Sequence, residues 1–319
     1  MTSTPKLAVL AVGGNALILD EKHKTVQDQY AAVVECMDHV VALMRDGWNV
    51  VVTHGNGPQV GFILRRSELS RHELHEVPLD SCGADTQGAI GYLFQKALVN
   101  AFKKAGMDRQ AVTVVTQVEV DANDPAFKKP TKPIGSFMPE ADARVKMEKE
   151  GWTMVEDAGR GWRRVVASPL PKRIVERDAI LTLIDHGFTV IAVGGGGIPV
   201  VQNAAGELNG VEAVIDKDFG GALLAASLPV DLFIIATAVE KAAINFRKPN
   251  ERWLDVITVD EARKFQSEGH FAAGSMGPKI EAAISFVSRT GKPAVITNLE
   301  SLNQAVAGKS GTRVVANPK

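Results

Sequence analysis

Cysteine is scarce in this chain: Cys36 and Cys82 are the only two among 319 residues. Two thiols are too few for a disulfide framework or for a metal site built on cysteine. Cys36 also falls on the apolar face of a predicted helix, where a free thiol behaves as a small hydrophobic side chain. We therefore expect both cysteines to be buried thiols.

Long apolar runs and an excess of positive charge are also missing. No stretch approaches the roughly 20 apolar residues of a membrane-spanning helix. The apolar run near the N-terminus is too short for a secretory signal, because it breaks at Gly13-Gly14. The net charge is −1, whereas sequence-independent binding to nucleic acid requires a basic surface. These properties predict a cytoplasmic globular protein that binds neither membrane nor nucleic acid.

Several catalytic motifs are absent. Gly308-Lys309-Ser310 matches the end of a Walker P-loop, but Asn303 stands where the first glycine of that motif is required. The dinucleotide fingerprint G-x-G-x-x-G fails at Val60 and at Pro199. H-E-x-x-H, G-x-S-x-G and H-R-D do not occur, and the histidines show no spacing typical of metal ligands. Hydrolases, zinc enzymes and Rossmann dehydrogenases are therefore disfavoured.

Glycine, by contrast, is abundant, and four glycine-rich turns each follow an apolar, strand-like run. These turns are Gly13-Gly14-Asn15, His54-Gly55-Asn56-Gly57, Gly194-Gly195-Gly196-Gly197 and Gly274-Ser275-Met276-Gly277-Pro278-Lys279. Glycine lets backbone N–H groups approach an anion closely. One such turn is weak evidence, because a tight turn needs glycine whether or not anything binds there. Four of them with lysines nearby predict a phosphate site.

Apolar periodicity predicts alternating strands and helices. Continuous apolar runs at Leu7–Val12 and Val50–Thr53 indicate strands that are buried on both faces. Thr25–Arg45 has apolar residues at three- and four-residue steps, as an amphipathic helix does. A helix over Ala84–Lys104 and a strand over Ala111–Val120 extend the pattern. The alternation predicts an α/β fold with a mostly parallel sheet covered by helices on both faces.

The alternation stops between Asp121 and Pro171. Prolines interrupt this segment repeatedly, and Asp157–Gly161 is predicted as the turn of a two-stranded hairpin. We predict a small inserted subdomain here, after which the α/β pattern resumes from Ile174. Length alone leaves one large domain or two fused lobes open.

Two lysines stand beside the glycine-rich turns. Lys217 lies between Asp216 and Asp218, whose carboxylates are able to hold its ammonium group, and Lys279 opens a predicted helix after Gly277-Pro278. A transferred phosphoryl group spreads negative charge over its oxygens, so its transfer requires positioning and positive charge more than a covalent nucleophile. Taken singly, each lysine also fits a solvated residue at a helix start, and both interpretations stay open at this point.

Segments spread over the whole chain form a characteristic combination: AVGGNAL, THGNGPQVG, CGADTQGAIGY, DPAFKKPTKPIGSF, GRGWRRVVASP, VGGGGIPV, VIDKDFGGALLA, NFRKPNERWLDVIT and GSMGPKIEAAISF. The combination closely resembles carbamate kinase, a member of the amino acid kinase superfamily. HGNGPQVG, TKPIG and MGPKIEA are specific to that family, whereas GGNAL and GGGG indicate only the superfamily.

The resemblance implies a three-layer α/β/α sandwich with a mostly parallel open sheet. It implies a single domain over residues 1–319, with the N-terminal half facing carbamate or carbamoyl phosphate, the C-terminal half facing the nucleotide, and a protruding subdomain over 121–171. It also implies a homodimer, Mg²⁺, and reversible phosphoryl transfer between ATP and carbamate, which commonly runs toward ATP in cells.

Site residues follow from the same resemblance. The matched catalytic residues are Lys217, Lys279 and Asp218. The positions matched to the carbamate and phosphoryl cradle are Gly13, Gly14, Asn15, Gly55, Asn56, Gly57 and the substrate-contacting Lys132. The positions matched to the nucleotide site are Gly195, Gly196, Thr237, Ala238, Val239, Ser275, Met276 and Gly277.

The sequence departs from the family pattern at three places. Asp85-Thr86 stands where Met-Ser is frequent, and Ala167-Ser168-Pro169 where Pro-Ser-Pro is frequent. Lys241-Ala242-Ala243 replaces a larger apolar pair, which predicts a thinner wall of the adenine pocket. None of the three touches the matched lysines.

Two alternatives remain beside carbamate kinase. The first is another kinase of the superfamily, acting on acetylglutamate, aspartate or UMP; TKPIG and the proline-rich insertion argue against it. The second is a catalytically silent sensor of nucleotide or carbamoyl phosphate, since a fold does not by itself imply a function. Retention of Lys217, Asp218 and Lys279 argues against the sensor.

Overall fold

The computed structural model describes residues 5–13, 17, 23, 25–156, 159, 161–272 and 274–318. Within these residues the helices are α1 (Val26–Arg45), α2 (Gly57–Ser70), α3 (Leu79–Ala105), α4 (Glu140–Glu150), α5 (Arg177–Asp185), α6 (Lys217–Ser227), α7 (Val259–Ser267), α8 (Met276–Thr290) and α9 (Leu302–Val306). The strands are β1 (Lys6–Val12), β2 (Trp48–His54), β3 (Ala111–Thr113), β4 (Gln117–Val120), β5 (Lys132–Met138), β6 (Met154–Glu156), β7 (Trp162–Val166), β8 (Pro171–Ile174), β9 (Thr189–Ile191), β10 (Ile198–Gln202), β11 (Leu208–Gly210), β12 (Leu232–Ala236), β13 (Ala243–Ile244), β14 (Arg252–Trp253), β15 (Val256–Thr258), β16 (Ala294–Thr297) and β17 (Thr312–Val315).

The central sheet has the strand order β15-β17-β16-β12-β1-β2-β9-β3. Its neighbouring strands run parallel, except that β16 and β17 are antiparallel. Alternate residues of β1 enter different cores: Leu7 and Val9 belong to the core that includes residues of α6 and α8, and Ala8 and Leu10 belong to the core that includes residues of α1 and α3. The predicted α/β fold with a mostly parallel sheet between two helical layers is confirmed.

The prediction of one strand over Ala111–Val120 is wrong. This segment forms two strands: β3 lies at the edge of the central sheet, whereas β4 belongs to a second sheet with the order β11-β10-β4-β8. The side chain of Gln87 holds the crossing point, since it accepts from Thr116 N (2.7 Å) and donates to Thr116 O (3.1 Å). These bonds satisfy buried backbone groups where the chain leaves the first sheet. A continuous apolar run cannot reveal such a change of sheet.

The predicted inserted subdomain contains a sheet of its own. β5, β7 and β6 form this antiparallel sheet, and α4 connects β5 to β6. The two hairpin strands are confirmed as β6 and β7, while residues 157, 158 and 160 of the predicted turn lie outside the described residues. Helix α4 was not predicted from the sequence; it starts directly after Pro139, which occupies its N-cap position.

The inserted sheet lies directly against α2. A Cβ atom on Gly61 would stand 2.1 Å from the Cα atom of Gly135 in β5, so only glycine permits this backbone contact. Beside it, Arg164 of β7 pairs with Glu68 of α2 at 2.9 Å. These contacts set the position of β5, and therefore that of Lys132 at its start.

The cysteines and the lengths of the apolar helices agree with the composition. Cys36 and Cys82 are free and buried, as predicted. In the part of the chain that the structure describes, no helix is both long enough and apolar enough to cross a membrane.

Gly220 of α6 lies in close contact with Gly196 in the turn after β9. A Cβ atom on Gly220 would stand 2.7 Å from both the Cα and the carbonyl oxygen of Gly196. Because both neighbours are backbone atoms, we expect Gly220→Ala to lower the free energy of unfolding by about 1–3 kcal/mol in urea titrations.

Gly83→Ala in α3 is the matched control, since nothing lies within 4 Å of a Cβ atom there. Alanine favours a helix interior over glycine, so this control is expected to be stabilised by about 0.5–1 kcal/mol. If both substitutions changed the free energy of unfolding equally, the Gly220–Gly196 contact would not be too close to admit a Cβ atom.

Candidate active site

The carboxyl ends of β1, β2, β12 and β16 lie at one edge of the central sheet, the position where open α/β sheets bind ligands. The loops and helix starts at this edge line a cavity of about 530 Å³. Its lining includes Gly13, Lys217, Ala236, Thr237, Ala238, Gly274, Ser275, Lys279 and Asn298. Residues from both halves of the sequence therefore meet in one cavity.

Three charged side chains meet beside this cavity. Asp218 accepts a hydrogen bond from Lys217 on Oδ1 and one from Lys279 on Oδ2, the latter at 3.1 Å. The side chain of Asp218 is 3% exposed, and those of Lys217 and Lys279 are 12% and 15% exposed. The fold thus brings together the three residues that the sequence predicted as catalytic.

The pKa values of this cluster follow from burial and from mutual charge. Burial alone would raise the pKa of Asp218, but the charges of Lys217 and Lys279 and their hydrogen bonds override it and lower the pKa to about 2. Burial lowers the pKa of Lys217, and the charge of Lys279 adds to this effect, while Asp218 opposes it. One carboxylate therefore offsets part of the cost of keeping two ammonium groups close together.

Helix starts position both lysines. Lys217 is the first residue of α6, and the preceding Asp216 caps this helix by accepting from Asp218 N at 2.9 Å. Lys279 lies in the first turn of α8, which begins at Met276. Because the N-terminus of a helix carries partial positive charge, both lysines add to a field that attracts anions.

The turn after β2 leads directly into a third helix start, that of α2. Asn56 is the N-cap residue of α2, but its side chain makes no capping bond to the helix. Its Nδ2 atom instead donates to Oγ1 of Thr86 at 2.9 Å, and Asn56 is only 5% exposed. The side chain of Asn56 is thus a buried packing element, and the first N–H groups of α2 lack its cap and are suited to an anion.

The four-glycine turn after β9 is buried. A Cβ atom on Gly195 would stand 2.1 Å from Nδ2 of Asn56, and one on Gly196 would stand 2.6 Å from the carbonyl oxygen of Ile215. Both glycines also have positive φ angles, +67° and +92°. Close packing accounts for glycine at both positions, and their assignment to the nucleotide stays a prediction.

Of the other residues predicted for the nucleotide, three line the cavity: Thr237, Ala238 and Ser275. Val239 follows them, half-buried, in the loop after β12. Met276 packs against the core, and the N–H group of Gly277 donates to the carbonyl oxygen of Ala272 at 2.9 Å. The last two residues therefore help to shape the start of α8.

The structure describes only some of the residues predicted to bind substrate, and it gives one of them, Lys132, a carboxylate partner. Gly13 lines the cavity, whereas Gly14 and Asn15 lie outside the described residues. Lys132 reaches across from the inserted subdomain and donates to Oδ2 of Asp216. The two aspartates that flank Lys217 in the sequence therefore bind different lysines, because Asp218 binds Lys217 itself.

The departure at Lys241-Ala242-Ala243 lies away from the cavity lining. Ala242 and Ala243 are 0% and 6% exposed, and Ala242 belongs to the hydrophobic core. Lys241 pairs with Asp255 at 2.6 Å. These two small side chains are therefore buried inside the protein, whereas Thr237 and Ala238 line the cavity after β12.

Sequence reasoning missed the roles of His54 and Thr86. His54 is fully buried, and burial lowers its pKa to about 4, so its ring is neutral at pH 7. The ring stacks on Phe94 with centroids 5.4 Å apart, and it fills the space beside Gly194. A histidine placed between a buried strand and a glycine turn was the available signal, whereas nothing local in the sequence pairs Thr86 with Asn56.

A buried carboxylate that holds two lysines at the ligand-binding edge of an α/β sheet defines the class of this protein: it is built to bind and stabilise a phosphoryl-type anion. The model of the amino acid kinase family matches residues 6–298. The chain belongs to the amino acid kinase family.

Individual relatives place the chain more closely within this family. It is 48% identical to the carbamate kinase of Thermococcus kodakarensis, over 97% of this chain and 99% of that protein. It is 49% identical to the carbamate kinase-like protein YahI of Escherichia coli, with the same coverage of 97% and 99%. The solved structure of Giardia lamblia carbamate kinase bound to AMP-PNP has a TM-score of 0.91 and 43% identity, covering 98% of this chain and 99% of that one.

Proposed function

We propose that this protein is a carbamate kinase, which transfers a phosphoryl group reversibly between ATP and carbamate. The observation that carries the proposal is the buried Lys217–Asp218–Lys279 cluster beside a cavity at the carboxyl edge of the sheet. In cells the reaction is expected to run from carbamoyl phosphate and ADP toward ATP. We place it in the cytoplasm, where ADP is available.

The chemistry of the acceptor agrees with this site. The oxygen of carbamate is already anionic, so phosphoryl transfer to it requires no general base. The demand is for positive charge on the equatorial and bridging oxygens as the bond to phosphorus changes. Lys217 and Lys279 supply that charge in a cavity whose walls limit solvent, where an ammonium group stabilises an anion more strongly than in water. We propose direct in-line transfer without a phosphoenzyme.

Each side of the cavity takes one substrate in this proposal. The nucleotide lies along Thr237, Ala238 and Ser275, and its terminal phosphate reaches the two lysines. The carbamate or carbamoyl phosphate lies at Gly13, which lines the cavity, and extends toward the turn Gly55–Gly57 at the start of α2. In-line transfer requires the donor and acceptor oxygens on opposite sides of the phosphorus, and this proposed arrangement is compatible with it.

We propose that Mg²⁺ enters with the nucleotide. Both carboxylate oxygens of Asp218 are bonded to lysines, so this side chain is not free to take the ion. Mg²⁺ keeps several waters and binds substrate phosphates in phosphoryl-transfer sites, and a donor set of this kind fits an ion held mainly by ATP or ADP. When bound, the ion neutralises charge on the nucleotide phosphates.

Two of the relatives are a reason to test other substrates as well. Two Escherichia coli relatives, YahI and YqeA, are 49% and 50% identical to this chain and are described only as carbamate kinase-like. Another phosphoryl acceptor, such as acetylglutamate, aspartate or UMP, or a silent sensor is therefore the comparison that the assay must include. Retention of both lysines and their carboxylate favours catalysis over sensing.

ATP formation from carbamoyl phosphate and ADP tests the function. We expect Lys217→Ala and Lys279→Ala each to lower kcat by about 10²-fold or more, because their charge is needed most in the transition state. Lys264→Ala, on the exposed side of α7, is the control and should retain wild-type kcat. Melting temperatures measured in parallel separate a chemical defect from unfolding.

Two results would contradict this proposal. Wild-type protein that forms no ATP from carbamoyl phosphate, but phosphorylates acetylglutamate, aspartate or UMP in the reverse assay, would assign it to another kinase. Binding of ADP without turnover of any of these substrates would assign it to a sensor.

We also propose that the protein is a homodimer that pairs through α3 and β3. The outer face of α3 exposes Tyr92 and Val99, which are 59% and 47% exposed, and Val115 after β3 is 53% exposed. β3 is the last strand of the central sheet, and the side chain of Gln95 in α3 accepts from Thr113 N at 3.0 Å on its outer edge. An exposed apolar surface at the end of the central sheet fits a second copy of this chain.

Val99→Glu is expected to convert the dimer to a monomer, because a charge would be buried without a partner at the centre of the interface. The mass in solution, from light scattering after size exclusion, measures this. Val145→Glu on α4 is the matched control, since Val145 is also 47% exposed. A wild-type monomer would reject the homodimer, and a dimer in which both variants behave alike would place the interface elsewhere.

A further inference from the structure

The ion pair between Lys132 and Asp216 joins two parts of the chain that lie 84 residues apart. Lys132 is the first residue of β5 in the inserted subdomain, and Asp216 directly precedes α6. The side chains are 25% and 17% exposed, so the pair is mostly removed from solvent. In such surroundings an ion pair is screened far less than at the surface.

The two carboxylate oxygens of Asp216 have separate tasks. Oδ1 accepts from Asp218 N at 2.9 Å and caps α6, the helix that begins with Lys217. Oδ2 accepts from Nζ of Lys132. Burial would raise the pKa of Asp216, but the charge of Lys132 overrides this and lowers it, so the carboxylate is charged at pH 7. A single side chain thus connects the lysine of the subdomain to the helix that carries the catalytic cluster.

Backbone contacts hold the subdomain in place independently of this pair. Ala167, at the exit of β7, forms a parallel bridge with Ala213, and Val214 N donates to Ala167 O at 2.9 Å. Gly61 and Gly135 fix β5 against α2. Loss of the Lys132–Asp216 pair should therefore release the lysine side chain and leave the subdomain docked.

The ion pair restricts a long and flexible lysine side chain. Four flexible bonds let a free lysine head sample many positions, and fixing them costs up to about 2 kcal/mol of rotamer entropy. An ammonium group has three N–H donors. A lysine that donates one hydrogen bond to Asp216 therefore has two donors left for another acceptor. Asp216 therefore holds the Lys132 head at the edge of the site without exhausting its hydrogen-bonding capacity.

We propose that Asp216 is a positioning residue that holds the ammonium group of Lys132 beside the catalytic cluster, ready to contact the phosphate of carbamoyl phosphate. The inference rests on the proposed function for the identity of that substrate. The phosphate oxygen that Lys132 contacts is charged in bound carbamoyl phosphate as well as in the transition state, so the contact stabilises both about equally. The effect should appear in KM for carbamoyl phosphate rather than in kcat.

Asp216→Asn separates the pair from the helix cap. Asparagine caps a helix about as well as aspartate does, whereas its neutral amide cannot hold an ammonium group as a carboxylate can. We expect this variant to raise KM for carbamoyl phosphate about tenfold, with KM for ADP unchanged, kcat altered less than threefold and the melting temperature lowered less than in Asp216→Ala. Asp216→Ala, which also loses the cap, should lower the melting temperature by a few degrees.

A double-mutant cycle tests whether Asp216 acts through Lys132. Lys132→Ala should raise the same KM at least as much as Asp216→Asn, and adding Asp216→Asn to Lys132→Ala should cause no further increase. An equal increase in both backgrounds would overturn the inference, because Asp216 would then act without the lysine. A lower KM in Asp216→Asn would also overturn it, since the carboxylate would then compete with substrate.

A second measurement does not depend on activity. Acetylation of lysine amines, followed site by site with mass spectrometry, should proceed faster at Lys132 in Asp216→Asn than in the wild type. The exposed Lys128 and Lys129 serve as internal controls and should react equally in both proteins. Unchanged labelling of Lys132 would overturn the pairing. Faster labelling in a protein that forms no ATP would keep the pairing and reject the proposed function instead.

Discussion

The carboxylate of Asp218 holds together two ammonium groups that would otherwise repel each other in a buried place. Removal of one partner from a buried ion pair typically costs about 3–5 kcal/mol, because the remaining charge is left without compensation. Here one carboxylate serves two lysines from different helices, so the starts of α6 and α8 depend on it together. The charge that would stabilise a transferred phosphoryl group is therefore assembled before any substrate binds.

Close glycine contacts also fix the positions of the helices and turns around this cluster. The turn after β9 touches Asn56 on one side and Gly220 of α6 on the other, with no room for a Cβ atom at either contact. Asn56 is in turn fixed by Thr86 of α3. Close packing therefore accounts for glycine in these turns, and the approach of an anion to them stays a prediction. The site is a junction of helix starts and strand ends whose spacing allows little change.

The sequence predicted much of this arrangement, and the failures have physical causes. The buried strand at β1 and the amphipathic α1 were predictable because their patterns are local. The division of Ala111–Val120 between two sheets was not, since apolar periodicity is the same in either sheet. The lysine pairs were predicted as to residues but not partners: Asp216 and Asp218 both flank Lys217, and only the fold gives Asp216 to Lys132. The Asn56–Thr86 contact, between residues 30 positions apart, has no local pattern.

The pH dependence of kcat in Asp218→Asn, compared with the wild type, tests the central role of this carboxylate most directly. Lys217 must be protonated to supply charge, and burial lowers its pKa below the ordinary 10.5. Wild-type kcat should therefore fall as the pH rises toward that value. Asp218 raises the pKa of Lys217, so its neutral replacement should move the alkaline fall of kcat to lower pH and reduce kcat throughout. An unchanged kcat and an unchanged alkaline limb in Asp218→Asn would contradict this account.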